Sequence, residues 1–220
     1  DWMSSCSANR LGGQHEDQDM GSLLNWPEIL AELVQSLDRR LGRNVLTTED
    51  TVRYYFFLRL VEAGIKPGTM ILERPHPRLE RKQIDLTVVH PGGSWDFELK
   101  YHRPIPSGRN RPSTQLRGQI VSDLYKLALG DGKRKYLLYV ADPKMAANWQ
   151  RHARAMVSSS RPSTIQIDWN WLSQQPKTLQ ASVNAGIGFL PENVTCSVKT
   201  EASCDGRHLK GWLYEVSAGG

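Results

Sequence analysis

The chain predicts an α/β fold, a mixed β-sheet flanked by helices, and three observations point there. Apolar residues recur at helical spacing over residues 26–42 and 47–64 and again over 113–129. Between them lie short runs rich in β-branched and aromatic residues, 69–75, 84–90 and 94–101. A strongly apolar run, "KYLLYVAD" (135–142), has the character of a strand covered on both faces. Helices alternating with strands in this way are layered on a sheet.

Taken in order, residues 1–22 have no apolar period and many Ser, Gly and Asp, and read as a flexible tail. Asn25 is placed to cap the first helix, with Pro27 in its first turn and Gly42 at its end. Leu30, Leu33, Val34, Leu37 and Leu41 form its core stripe. Thr47 or Thr48 caps the second helix, Glu49 and Asp50 suit its positive N-terminus, and Gly64 closes it. Three strands follow, the last two joined at "PGG" (91–93). A proline-rich, basic loop (101–113) leads to a helix from Ser113 to Leu129 with Leu116, Ile120, Leu124 and Leu127 toward the core. After the 135–142 strand come a helix from Pro143 to Ser158, a strand "TIQIDW", a broken helix over 169–185, and two strands within 193–200 and 208–217 that form a hairpin. The division expected is a tail (1–22), a main domain (23–170) and a C-terminal extension packed on it (171–220).

The chain has 220 residues and a formal net charge of +5, unevenly spread. The tail is net acidic, whereas residues 74–117 carry nine Lys/Arg against four acids. Such a zone suits a polyanion, or else forms a solvated basic face. No apolar run is long enough for a membrane span, and the N-terminal residues lack a signal-peptide core. Three cysteines without CxxC spacing suggest reduced thiols and a cytoplasmic protein, with a Cys196–Cys204 pair across the last hairpin as an alternative.

The charges inside "IDLTVVHPGGSWDFELKY" (84–101) are the chemical signal. Charged residues rarely occupy buried strands unless paired or used. Alternation puts Trp95, Phe97, Leu99 and Tyr101 on one face and Asp96, Glu98 and Lys100 on the other. A two-residue Gly92-Gly93 loop would set Asp85 opposite Lys100, with Glu98 its diagonal neighbour. Two converging carboxylates suit Mg²⁺, and a lysine beside them can stabilise charge on a phosphate or orient a water. A plain cross-strand Asp–Lys ion pair is the structural alternative.

Asp85, a twelve-residue gap, then Glu98-Leu99-Lys100, set between a helix, three strands, a crossover helix and another strand, resembles the PD-(D/E)xK nuclease superfamily with its restriction-endonuclease-like fold. The likeness covers residues 45–145, and Ile84 stands where many members have proline. It implies Asp85, Glu98 and the Leu99 carbonyl as ligands of Mg²⁺, for which Mn²⁺ can substitute, with Lys100 acting on the water and the phosphate. An acid from the first core helix often adds a ligand in this family. Glu49 is preferred there over Glu62, and Glu73 is a further candidate. Gln119, on a helix "QIVSDLYKL" like the family's crossover helix, would contact the phosphate or the attacking water. Arg103, Arg109 and Arg111 would bind the nucleic-acid backbone. Asp123 and Lys126 read as a solvated helix face, and His102 as a loop histidine able to assist.

The function expected is Mg²⁺-dependent hydrolysis of phosphodiesters in nucleic acid, DNA before RNA, in a homodimer or with an operon-encoded protein partner. A catalytically inactive nucleic-acid-binding or scaffold module of the same fold is the alternative. The lack of a P-loop or a dinucleotide fingerprint lowers the case for other enzymes on a mixed sheet.

Overall fold

The computed structural model describes residues 24–103, 113–156 and 164–219. Arg109 and Arg111 lie outside them. Helix α1 (Trp26–Gly42) starts where Asn25 Oδ1 accepts from the Glu28 N–H, with Pro27 in the first turn. Helix α2 (Glu49–Glu62) is capped by Thr48, which exchanges hydrogen bonds with Thr51. These caps satisfy amide donors that a helix start leaves free. The strands are β1 (Met70–Pro75), β2 (Gln83–His90), β3 (Gly93–His102), β4 (Arg134–Ala141), β5 (Thr164–Ile167), β6 (Cys196–Asp205) and β7 (Lys210–Ala218). Helices α3 (Ser113–Leu129), α4 (Pro143–Ala155), α5 (Trp169–Ser173) and α6 (Lys177–Ile187) complete the chain order.

The seven strands form one sheet in the order β1-β2-β3-β4-β7-β6-β5. All neighbours are antiparallel except β3 and β4, which run parallel and are joined through α3. The sheet separates two cores. Leu86, Val88, Trp95, Phe97, Leu99, Tyr136 and Leu138 pack against α1 and α2. Leu137, Tyr139, Trp212 and Tyr214 pack against α3, α4 and α6. Each such side chain contributes about 1.5–3 kcal/mol by leaving water. The expected C-terminal hairpin forms as β6–β7 and continues the central sheet, since β7 pairs directly with β4. Among the described residues no helix is long and apolar enough to cross a membrane.

Two expectations are corrected here. The β2–β3 turn is Pro91-Gly92, not Gly92-Gly93: His90 pairs with Gly93, Val88 with Trp95 and Leu86 with Phe97. Proline has no N–H for a ladder, and its fixed φ suits a turn position. One step further on, Asp85 stands across from Glu98, not Lys100. The shift is two residues, so every side chain keeps its face. Cys196 and Cys204 both lie on β6, opposite Ala218 and Gly211, and are free thiols.

Candidate active site

Three elements bring the charged residues together. Strand β2 presents Asp85, strand β3 presents Glu98 and Lys100, and helix α3 lies over them with Gln119, Asp123 and Lys126. The apolar half of β3 (Trp95, Phe97, Leu99) anchors the strand in the α1/α2 core, and alternation turns Asp96, Glu98 and Lys100 toward α3. Asp96, fully buried, serves a structural network. It takes Arg74 at 3.0 Å and the Thr87 hydroxyl at 2.9 Å, and Arg74 also reaches Asp131.

Asp85 Oδ2 accepts from the Leu99 N–H at 2.7 Å, and Oδ1 accepts from Arg53 at 3.2 Å. Arg53 also meets Glu73 at 3.2 Å. Glu73 interrupts the β1–β2 ladder between Leu72–Leu86 and Arg74–Ile84, with φ of 52°, a left-handed conformation that costs a non-glycine residue about 1–2 kcal/mol. Glu73 therefore touches the site through Arg53.

Glu98 is 1% exposed. Burial, and then the Asp85 charge, push its carboxyl well above the usual carboxylate range, and Lys126 opposes them. Lys126 Nζ lies 2.5 Å from Glu98 Oε2 and donates to the Gln83 carbonyl at 3.0 Å. The other oxygen, Oε1, is buried without a hydrogen-bond partner among the described residues.

Lys100 Nζ lies 3.1 Å from Asp123 Oδ2 and 3.4 Å from Glu49 Oε2. Burial would lower the pKa of this ammonium, but Asp123 and Glu49 outweigh it and hold the pKa above the ordinary lysine value. Glu49, first residue of α2, also accepts from the Tyr101 N–H at 3.1 Å, and burial pushes its carboxyl upward. Glu62 pairs with Arg59 at the opposite end of α2. A helix of this length puts roughly 20 Å between its ends, so Glu62 is remote from Glu49.

The structure thus brings Asp85, Glu98, Lys100 and Glu49 into one cluster. A cavity of about 600 Å³ opens beside Lys100, lined by Gln115, Gln119, Asp123, Thr178 and Ser182 among others. Gln119 therefore faces the space next to Lys100. Arg103 is exposed directly beyond β3. His102 is buried at the end of β3, not on a loop, and its ring lies 5.5 Å from that of Tyr139.

Asp123 and Lys126 correct the reading of a solvated helix face. Asp123 is 9% exposed and the Lys126 side chain 15%. Both side chains turn toward the sheet, Asp123 to Lys100 and Lys126 to Glu98 and the Gln83 carbonyl, while α6 packs on the neighbouring flank of α3. Gly118 lies so close to α6 that an added Cβ would meet Ser182 Cβ at 2.5 Å, and one on Gly186 would strike Ser122. The sequence signal of that packing is small residues four apart on both helices, Gly118/Ser122 and Ser182/Gly186, which permit close approach.

Oxygen donors suit a hard cation, and the unpartnered Glu98 Oε1 is an acceptor with capacity to spare. Among the described residues no group of three or more His, Cys, Asp or Glu side chains is assembled as a metal cage. Mg²⁺ asks for less, one or two carboxylates with water and substrate oxygens completing its octahedron. Asp85 and Glu98, brought close on adjacent strands where Asp85 binds the Leu99 N–H, fit that requirement. No protein-family model, curated protein or solved structure matches this chain.

Proposed function

We propose that the protein is a Mg²⁺-dependent nuclease that hydrolyses phosphodiesters in nucleic acid, DNA in preference to RNA, on a restriction-endonuclease-like fold. The observation that carries this reading is the nearness of Asp85 to Glu98 just past the last β2–β3 pair, Leu86–Phe97, with Asp85 bound to the Leu99 N–H and Lys100 on the face of Glu98. The element order α2, β1–β2–β3, α3, β4 supports the fold assignment.

Asp85, Glu98 and the Leu99 carbonyl would hold the ion, with Glu49 near enough to Lys100 to contribute. When bound, Mg²⁺ supplies positive charge to the phosphate and acidifies a coordinated water. Lys100 is fixed by Asp123 and Glu49 so that its charge is available to a phosphate oxygen without reorganisation. Gln119, on the cavity wall, would orient the attacking water or the phosphate. The described site offers no nucleophile–base pair of the acyl-transfer kind, and direct in-line attack by water suits it. Arg103, with Arg109 and Arg111, would hold the backbone of the strand.

A second reading, a binding or scaffold module, is favoured by one contact. Lys126 neutralises Glu98 as a structural ion pair would. Incubating nucleic acid with the wild-type protein and Asp85→Asn, with Mg²⁺ or EDTA, separates the two. The nuclease cleaves only with metal and only with Asp85 intact, whereas the scaffold binds equally in every case and cleaves in none.

A further inference from the structure

The nuclease reading gives Glu98 to a divalent ion, yet Glu98 already has a cation. Lys126 Nζ touches Oε2 at 2.5 Å, on a carboxylate 1% exposed. A buried carboxylate facing a second one, Asp85, needs such a counter-charge. An ammonium and a divalent ion on the same carboxylate would stand only a few ångströms apart and repel strongly in so buried a place. Oε1 is open to the ion, but the ammonium on Oε2 would oppose its charge, and the lysine on its flexible stem is the cation able to move away.

We propose, on the basis of the nuclease reading, that Lys126 is a tethered cation that holds Glu98 in the metal-free protein and gives it up to the divalent ion. Its destination is Asp123. That carboxylate lies one turn back on α3, with Oδ1 4.0 Å from Lys126 Nζ. Its other oxygen, Oδ2, is engaged by Lys100 at 3.1 Å. Asp123 thus has one oxygen for each lysine. In the metal-loaded state both ammoniums would sit on Asp123, which lines the cavity. The hand-off makes metal affinity a competition inside the protein. It lets the chain fold stably without metal, and it sets a threshold concentration for loading.

Lys126 is on this account a positioning residue, and metal binding itself is the readout. Mn²⁺ affinity, from loss of the free-ion electron paramagnetic resonance signal, and the Mn²⁺-induced rise in melting temperature are measured on the full chain. Lys126→Met removes the competitor, and Mn²⁺ should bind about tenfold or more tightly. Its metal-free melting temperature should fall, and Mn²⁺ should raise it by more than in the wild type. Lys126→Gln, which keeps polar contact with the Gln83 carbonyl, should behave likewise and serves if the Met variant folds poorly. Lys126→Arg keeps the charge and should bind as the wild type does. Asp123→Asn removes the destination and should weaken Mn²⁺ binding. Unchanged or weaker Mn²⁺ affinity in folded Lys126→Met and Lys126→Gln overturns the hand-off alone, provided wild-type binding is lost in Glu98→Gln. If the wild type binds no Mn²⁺, or binds it independently of Glu98, the nuclease reading and the hand-off fall together.

Discussion

The carboxylate of Asp85 accepts a hydrogen bond from the Leu99 backbone N–H at 2.7 Å, so a candidate metal ligand on β2 is oriented by the residue between Glu98 and Lys100 on β3. One bond thereby fixes the relative placement of both carboxylate-bearing strands. Asp85→Asn keeps an oxygen for Leu99 but loses the charge facing Arg53. The variant should lose metal-dependent cleavage while stability falls by only about 1–2 kcal/mol. A cleavage assay with Mg²⁺ and thermal melting of the same sample test both halves.

Lys100 should matter for stability as well as for turnover. Asp123 and Glu49 raise its pKa above the unfolded value, so the charged lysine stabilises the fold below about pH 10.5, and that contribution is lost as pH rises through the folded pKa. Lys100→Ala leaves the largely buried Asp123 and the partly exposed Glu49 short of a cation, at a cost of about 1–2 kcal/mol, most of it at Asp123. Denaturant melts at pH 7 measure it, and an unaltered midpoint would mean the pairs are not maintained in solution.

The pH dependence of the metal-free protein should carry the mark of Glu98. Its carboxyl binds a proton more readily folded than unfolded. Above the ordinary carboxylate range, stability should therefore decline with rising pH until Glu98 is fully ionised. Glu98→Gln cannot ionise and should remove this decline. Divalent metal reverses the preference by favouring the ionised form. Melting temperature against pH, with EDTA or Mn²⁺, displays the opposed slopes.

The contact between α3 and α6 should be intolerant of bulk. A Cβ on Gly118 would lie 2.5 Å from Ser182 Cβ and 2.8 Å from the Leu179 carbonyl. Gly118→Ala should destabilise by about 1–3 kcal/mol through overpacking, despite alanine's better helix propensity. Thr178→Trp, at an exposed position on the cavity wall, should instead obstruct substrate, raising KM more than it lowers kcat. Chemical denaturation and steady-state kinetics distinguish the two effects.

Local rules made the frame readable. Asn25 and Thr48 cap helices as their side-chain chemistry dictates, and the alternation in "SWDFELKY" sorted Glu98 and Lys100 from the apolar residues of β3. The register slipped by two residues because both pairings bury the same apolar face, and only the turn chemistry of Pro91 separates them. Helix periodicity reports one face of one helix, so by that pattern alone Asp123 and Lys126 look solvated. Their partners Lys100, Glu98 and the Gln83 carbonyl lie on β2 and β3, which local helix pattern does not place. Arg53 is invisible to local pattern for a related reason. Its partners Asp50, Glu73 and Asp85 come from a helix and two strands and meet only in the folded sheet.

The central claim is that the Asp85–Glu98–Lys100 cluster hydrolyses phosphodiesters, and cleavage by Lys100→Ala tests it most directly. Supercoiled plasmid and a labelled single-stranded oligonucleotide are incubated with Mg²⁺ or Mn²⁺ and the wild-type or variant protein. The account predicts cleavage by the wild type that EDTA abolishes. It also predicts a fall on the order of 10²–10⁴-fold in a Lys100→Ala protein that is folded and still binds Mn²⁺. Undiminished cleavage by that variant would contradict the account.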